Sequence, residues 1–151
     1  MVISSLNTKL LEDRLGYITK SLVKLKTMAS LPKEQFLTGD NPAAAESYLR
    51  RCLEAMFDVG RHIIAKTAGK AEVEYKEVVS RLREIGVITQ AHAENLTLMA
   101  GYRNRLVHFY DEVSEAELYQ IIQKNLGDIG EFVRQIAIFL EKYRQAQPPR
   151  Q

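Results

Sequence analysis

The sequence predicts an all-α domain, an up-and-down four-helix-type bundle with one additional short helix. Three observations carry this expectation. Apolar residues recur at steps of three and four along most of the chain, which is the period of a helix with one buried face. No stretch shows the alternation of a half-buried strand, and no repeat of about 20 to 50 residues is visible. Proline, glycine and small polar residues punctuate the periodic segments where helices start and stop.

The first helix is expected over residues 6 to 30, where Leu11, Leu15, Ile18, Leu22, Leu25 and Ala29 form one stripe. It should end in "SLPKEQFLTGDNP", which holds Pro32, Gly39, Asn41 and Pro42. Asn41 can cap the second helix and Pro42 can occupy its first turn. That helix carries Ala45, Leu49, Cys52, Met56, Val59 and Ile63 on its buried side and Arg50, Arg61 and Lys66 opposite, until "TAGK" interrupts it near residue 67.

A short helix over about 72 to 85 closes on Gly86 as a left-handed cap. Thr89 can cap the fourth helix, expected from 90 to 109. "SEAE" at 114 to 117 has the form of a capping box and opens a last long helix, whose seam runs through Leu118, Ile122, Ile129, Val133, Ile136, Leu140 and Tyr143. Gly60, Gly101, Gly127 and Gly130 fall inside helical stretches, where each costs about 0.5 to 1 kcal/mol against alanine, so close approach of neighbouring helices is the expected reason for them.

A chain of 151 residues suits one domain, able to bury roughly 70% of the surface its unfolded form exposes. Residues 1 to 145 are read as that domain and 146 to 151 as a flexible tail. A net charge of +2 is too small for a general nucleic-acid binder, so any RNA contact must come from a local cluster. Cys52 stands alone in an apolar pattern and reads as a buried spectator thiol, which removes disulfides and thiolate zinc sites. There is no run of about 18 apolar residues and no signal-peptide pattern at the N-terminus, which fits a cytoplasmic protein without a membrane span.

The fourth helix breaks its own pattern. Leu96, Met99, Arg103, Leu106 and Tyr110 share one stripe, so an arginine occupies a core position. A buried guanidinium needs an anionic partner, water, or an interface where a ligand neutralises it. Asn104 and His108 are helical neighbours, so the amide can hydrogen-bond the imidazole. Arg103 and His108 are separated by about 140° on an ideal helix and converge only if the helix loosens near Val107. A histidine serving as a dipole partner and an arginine paired with a carboxylate remain the competing explanation.

The order arginine, four residues, histidine, one residue, tyrosine, in "LTLMAGYRNRLVHFYDEVSEAELYQII", resembles the HepT-like branch of the HEPN proteins. "LRRCLEAMFDVGRHIIAK" at 49 to 66 also resembles that family's second helix, so the likeness covers most of the chain. The resemblance implies a HEPN-like helical fold and a homodimer that cuts RNA without metal or cofactor, as the toxin half of a type VII-like HEPN/MNT toxin–antitoxin pair. It implies that Arg103 and His108 are the catalytic pair, with Asn104 in the polar position that follows the arginine. It further implies that Tyr110 receives AMP from an MNT-type nucleotidyltransferase antitoxin, which silences the toxin.

The residue types suit that chemistry, since RNA cleavage by its own 2′-hydroxyl needs a base, an acid and positive charge at the phosphorus. Two copies of His108 and Arg103 in one cleft would supply acid and base together. Elsewhere, His62 reads as a polar pair with Asp58 or a support to the site, and His92 as a solvated side chain. No set of metal-ligand spacing converges. Two other classes stand beside the nuclease: a non-catalytic nucleotide- or partner-binding subunit of a two-chain nucleotidyltransferase, and a purely structural helical dimer.

Overall fold

The computed structural model describes residues 5–68, 73–108 and 113–147. Among these the chain is all helical: α1 (Thr8–Ala29), α2 (Lys33–Phe36), α3 (Asn41–Ala68), α4 (Tyr75–Glu84), α5 (Gln90–Val107), α6 (Glu115–Lys124) and α7 (Leu126–Ala146). The long helices α1, α3, α5 and α7 form the bundle expected of the sequence. α3 lies at its centre, packed on α1, α4, α5 and α6, while α7 closes against α1 and α5.

The periodic residues do the burying. Ile18, Leu25, Leu49, Ile63, Ile129 and Ile136 are fully enclosed, each worth roughly 1.5–3 kcal/mol of apolar transfer. Polar ties fix the helix ends. The Tyr143 hydroxyl accepts from the Leu6 amide at 3.1 Å, and Arg144 of α7 pairs with Glu12 of α1. Cys52 is buried between α3 and α1, and burial pushes its thiol pKa up to about 12, so it stays protonated.

Several local signals act as the sequence anticipates. Thr89 accepts from the His92 amide at 3.2 Å, and Gly86 adopts φ 80° after α4. Asn7, which the sequence does not single out, caps α1 by accepting from the Leu10 amide at 3.0 Å. Asn41 turns its side chain back to the Gln35 carbonyl at 3.2 Å and stands as the first residue of α3. Ser114 accepts from the Glu117 amide at 3.1 Å, but Glu117 turns to Arg105, so only half of the expected capping box forms.

Two departures matter. The stretch read as an irregular link contains α2, because Phe36 is completely buried and stacks on Tyr119 at 5.1 Å. One buried aromatic ring anchors that turn where the surrounding composition gives no period to read. The last helix is broken at Asn125 (φ −114°, ψ −1°), whose amide caps the Ile121 carbonyl at 2.9 Å. Asn125 disfavours helix interiors, and Asp128 in the first turn of α7 favours a fresh start there. The bend lets α6 reach the end of α1, where Tyr119 donates to the Leu31 carbonyl and Gln123 to the Ala29 carbonyl.

The glycines divide. A Cβ on Gly60 would lie 2.5 Å from Val78 Cγ1, so α4 sits against α3 because that side chain is missing. Gly130 meets only an ordinary contact with Leu22, and Gly101 and Gly127 have nothing within 4 Å among the described residues, so packing within these residues accounts for neither of the last two. Gly60→Ala should therefore destabilise the fold by about 1–3 kcal/mol, whereas Gly16→Ala, in a site with nothing within 4 Å, should stabilise it by about 0.5–1 kcal/mol. Urea unfolding of the two variants checks this, and the same sign for both would contradict the packing described.

Candidate functional site

α5 is fixed at its N-terminus before its functional residues appear. The Thr89 amide donates to Gln135 Oε1 of α7 at 3.0 Å, and Leu96, Met99 and Leu106 are buried below it. This stripe delivers Arg103 into the wall of the bundle with 15% of its side chain exposed.

The guanidinium is held there in three ways. It lies over the Tyr75 ring of α4, 3.7 Å from the centroid. Its Nη1 donates to Asn104 Oδ1 at 3.2 Å. Its Nη2 is 4.0 Å from Glu54 Oε1 of α3, and its buried Nε has no hydrogen-bond partner among the described residues. An aromatic face compensates a desolvated cation by up to about 2 kcal/mol, but it accepts no N–H bond along the guanidinium edge. The cation is thus lodged with Nη1 bonded and its Nε left without an acceptor among the described residues.

Tyr75 has further support. Arg61 also lies over the ring at 4.1 Å and donates from Nε to the Val73 carbonyl at 3.2 Å, while Phe57 packs edge-on at 5.4 Å. Neither Tyr75 nor Glu54 stands out in the sequence. Both reach Arg103 from other helices, and no spacing within a helix reports a contact of that kind.

α5 ends at Val107, and His108 leaves it in an extended conformation (φ −97°, ψ 115°). This is the loosening that the separation of Arg103 and His108 requires. Asn104 serves both residues, because its side chain accepts from Arg103 and its carbonyl accepts from the His108 amide at 3.2 Å. Its Oδ1 is thus engaged by the guanidinium, where the sequence suggested an imidazole partner. The His108 side chain is exposed, at the negative end of the α5 dipole, which favours cations. Beside this end opens a groove of about 350 Å³ lined by Glu46, Ser47, Arg50, Glu54, Leu106 and Val107, among others. Tyr110, with Asp111 and Glu112, lies outside the described residues.

Arg105 leaves the cluster. It pairs with Glu117 of α6 at 2.6 Å, and the hydrogen bond from Arg105 holds the Glu117 carboxyl below its ordinary pKa. No group of three or more metal-ligating side chains converges among the described residues. Among the described residues no helix is long and apolar enough to cross a membrane.

The other histidines differ from expectation. His62 Nε2 accepts from the Asn7 amide at 3.2 Å, so its described partner is the start of α1 in place of Asp58. His92 is only 4% exposed, because α5 packs its first turn against α7, and its Nε2 has no partner among the described residues.

The comparisons converge on one family. The profile described as "Ribonuclease HepT-like" matches residues 18–136. The chain is 27% identical to the tRNA nuclease HepT of Aphanizomenon flos-aquae over 133 residues, covering 87% of this chain and 90% of that protein. It is 31% identical to the mRNA nuclease HepT of Shewanella oneidensis over 85 residues, covering 56% and 64%. Among solved structures, the tri-AMPylated Shewanella oneidensis HEPN toxin in complex with its MNT antitoxin superposes with a TM-score of 0.75 at 23% identity, covering 85% of this chain and 97% of that one.

Burial lowers the pKa of both His62 and His92, with Lys66 adding to the effect at His62. A lowered folded-state value means that the unfolded chain binds protons more readily, so stability is retained above the unfolded value and lost as pH falls below about 6.5. The urea midpoint should fall between about pH 7 and pH 5.5, and His92→Leu should flatten that fall. A midpoint that does not change across the window would contradict these environments.

Proposed function

Because the chain belongs to the ribonuclease HepT-like family, we propose that it is a metal-independent endoribonuclease toxin whose catalytic residues are Arg103 and His108, positioned with Asn104. The observation that carries this reading is a largely buried guanidinium, with Nε unbonded among the described residues, five residues before an exposed histidine at the end of α5 and beside an open groove. The relatives named as tRNA and mRNA nucleases support RNA as the substrate class.

In this mechanism one His108 imidazole takes the proton of a ribose 2′-hydroxyl as its oxygen attacks the adjacent phosphorus. An acid returns a proton to the departing 5′-oxygen, leaving a 2′,3′-cyclic phosphate and a free 5′-hydroxyl. His108 of a second copy, in a homodimer, supplies that acid. Arg103 neutralises the charge that develops on the non-bridging oxygens, the interaction worth most in a site that excludes water. Asn104 holds the guanidinium by its side chain and the start of the His108 segment by its carbonyl.

Control of the toxin follows from the neighbouring tyrosine. AMP placed on Tyr110 by an MNT-type nucleotidyltransferase adds bulk and negative charge two residues along the chain from His108. The Shewanella toxin described as tri-AMPylated, in complex with its MNT antitoxin, supports this reading. A single domain over residues 1–145, acting in the cytoplasm, completes the proposal.

Expression of the chain alone should arrest growth, and His108→Ala or Arg103→Ala should not; equal harmlessness of all three proteins would favour a non-catalytic binding subunit. In vitro, His108→Ala should slow RNA cleavage by about 10²- to 10⁴-fold, with wild-type activity unchanged in EDTA. Loss of activity in EDTA would overturn the metal-free mechanism. Mass spectrometry after co-expression with an MNT-type partner should find AMP on Tyr110, and an unmodified tyrosine would remove that form of control.

A further inference from the structure

Glu54 stands 4.0 Å from Arg103 Nη2, which is beyond the usual 2.7–3.2 Å of an N–H···O bond. A buried arginine would ordinarily close on a carboxylate in a two-point fork. Here the fork stays open, since Nε on the same edge of the guanidinium has no acceptor among the described residues. The Glu54 side chain is 36% exposed, so moving it into water costs little, and pairs of this kind contribute about 0–1 kcal/mol.

The carboxylate also has somewhere to go. Glu54 borders the groove beside α5 and, on its other side, a second hollow of about 190 Å³ lined by Arg14, Tyr17, Arg51, Ala55 and Asp58. No ion pair within 4 Å engages Arg14, Arg50 or Arg51 among the described residues. A Glu54 that leaves Arg103 has Arg50 in the groove and Arg14 and Arg51 in the second hollow to turn toward.

We propose that Glu54 is a displaceable counter-ion that occupies the place of a substrate phosphate beside Arg103 in the empty site and gives it up when RNA binds. This inference rests on the ribonuclease reading above and makes Glu54 a residue that sets substrate affinity. A phosphodiester offers a non-bridging oxygen to Nη2, the donor nearest Glu54, in the charge-assisted contact a guanidinium makes with phosphate. Glu54 at long range is too weak to block such a ligand. It is sufficient to keep isolated anions from settling on a cation that the Tyr75 ring and Asn104 only partly satisfy, so binding favours ligands that make further contacts along the groove.

The test uses full-length His108→Ala protein, which binds without cutting, and a fluorescein-labelled single-stranded RNA of mixed sequence at fixed salt. In that background Glu54→Gln should tighten the anisotropy Kd by about three- to fivefold. Asp58→Asn, the same change of charge in the second hollow, should alter it by less than about twofold. Adding Arg103→Ala should abolish the gain. Glu54→Ala should give the same tightening, which keeps the test decisive if one variant folds poorly. Unchanged affinity in both Glu54 variants, or equal tightening with Arg103→Ala present, would overturn the inference. So would loss of cleavage by Glu54→Gln in the otherwise wild-type chain at unchanged RNA affinity, because that marks a proton-transfer role. Cleavage that survives Arg103→Ala sinks the nuclease assignment of that arginine itself. Cleavage lost with Arg103→Ala and His108→Ala, but affinity indifferent to Glu54, sinks the counter-ion alone.

Discussion

A guanidinium set on the apolar seam of α5 imposes the constraint from which the rest of the site follows. Moving an arginine out of water is costly unless its charge and its donors are met. The bundle meets the charge with the Tyr75 ring and a distant Glu54, and among the described residues Nη1 alone of its donors makes a hydrogen bond, to Asn104. Packing reaches that ring through a glycine. α4 can carry Tyr75 to Arg103 because Gly60 of α3 leaves room for Val78, so an absent side chain in one helix supports a cation in another.

The end of α5 is equally part of the arrangement. Had the helix continued through residue 108, the imidazole would point well away from the arginine stripe. Termination at Val107 and the extended backbone of His108 free it from that geometry, while the Asn104 carbonyl keeps it attached to the last turn. Fixed packing at Leu96, Met99 and Leu106 thus gives way within one turn to an exposed histidine. A rigid element presenting reactive groups at its end is the common way to combine position with access.

The sequence made the bundle legible because helical periodicity is a property of single segments. The stripes of α1 and α3, the Thr89 cap and the Gly86 turn are all read within a few residues of one another. The oddity of Arg103 was legible for the same reason, as a charge breaking an apolar period. Features that depend on another helix were not. Phe36 is buried by Tyr119, His92 by the approach of α7, and Glu54 and Tyr75 acquire meaning only across the bundle. The break at Asn125 is hidden because apolar residues continue on both sides of it, and no spacing discloses that Gly101 and Gly127 have no neighbour within 4 Å among the described residues.

The pairing of Arg105 with Glu117 has one more consequence. It joins the final turn of α5 to the opening turn of α6, and so staples the two anchor points of the connection that contains Tyr110. Whatever spans from α5 to α6 therefore starts and ends at points that a charge pair already holds, and the spacing it must bridge is set by the helices themselves.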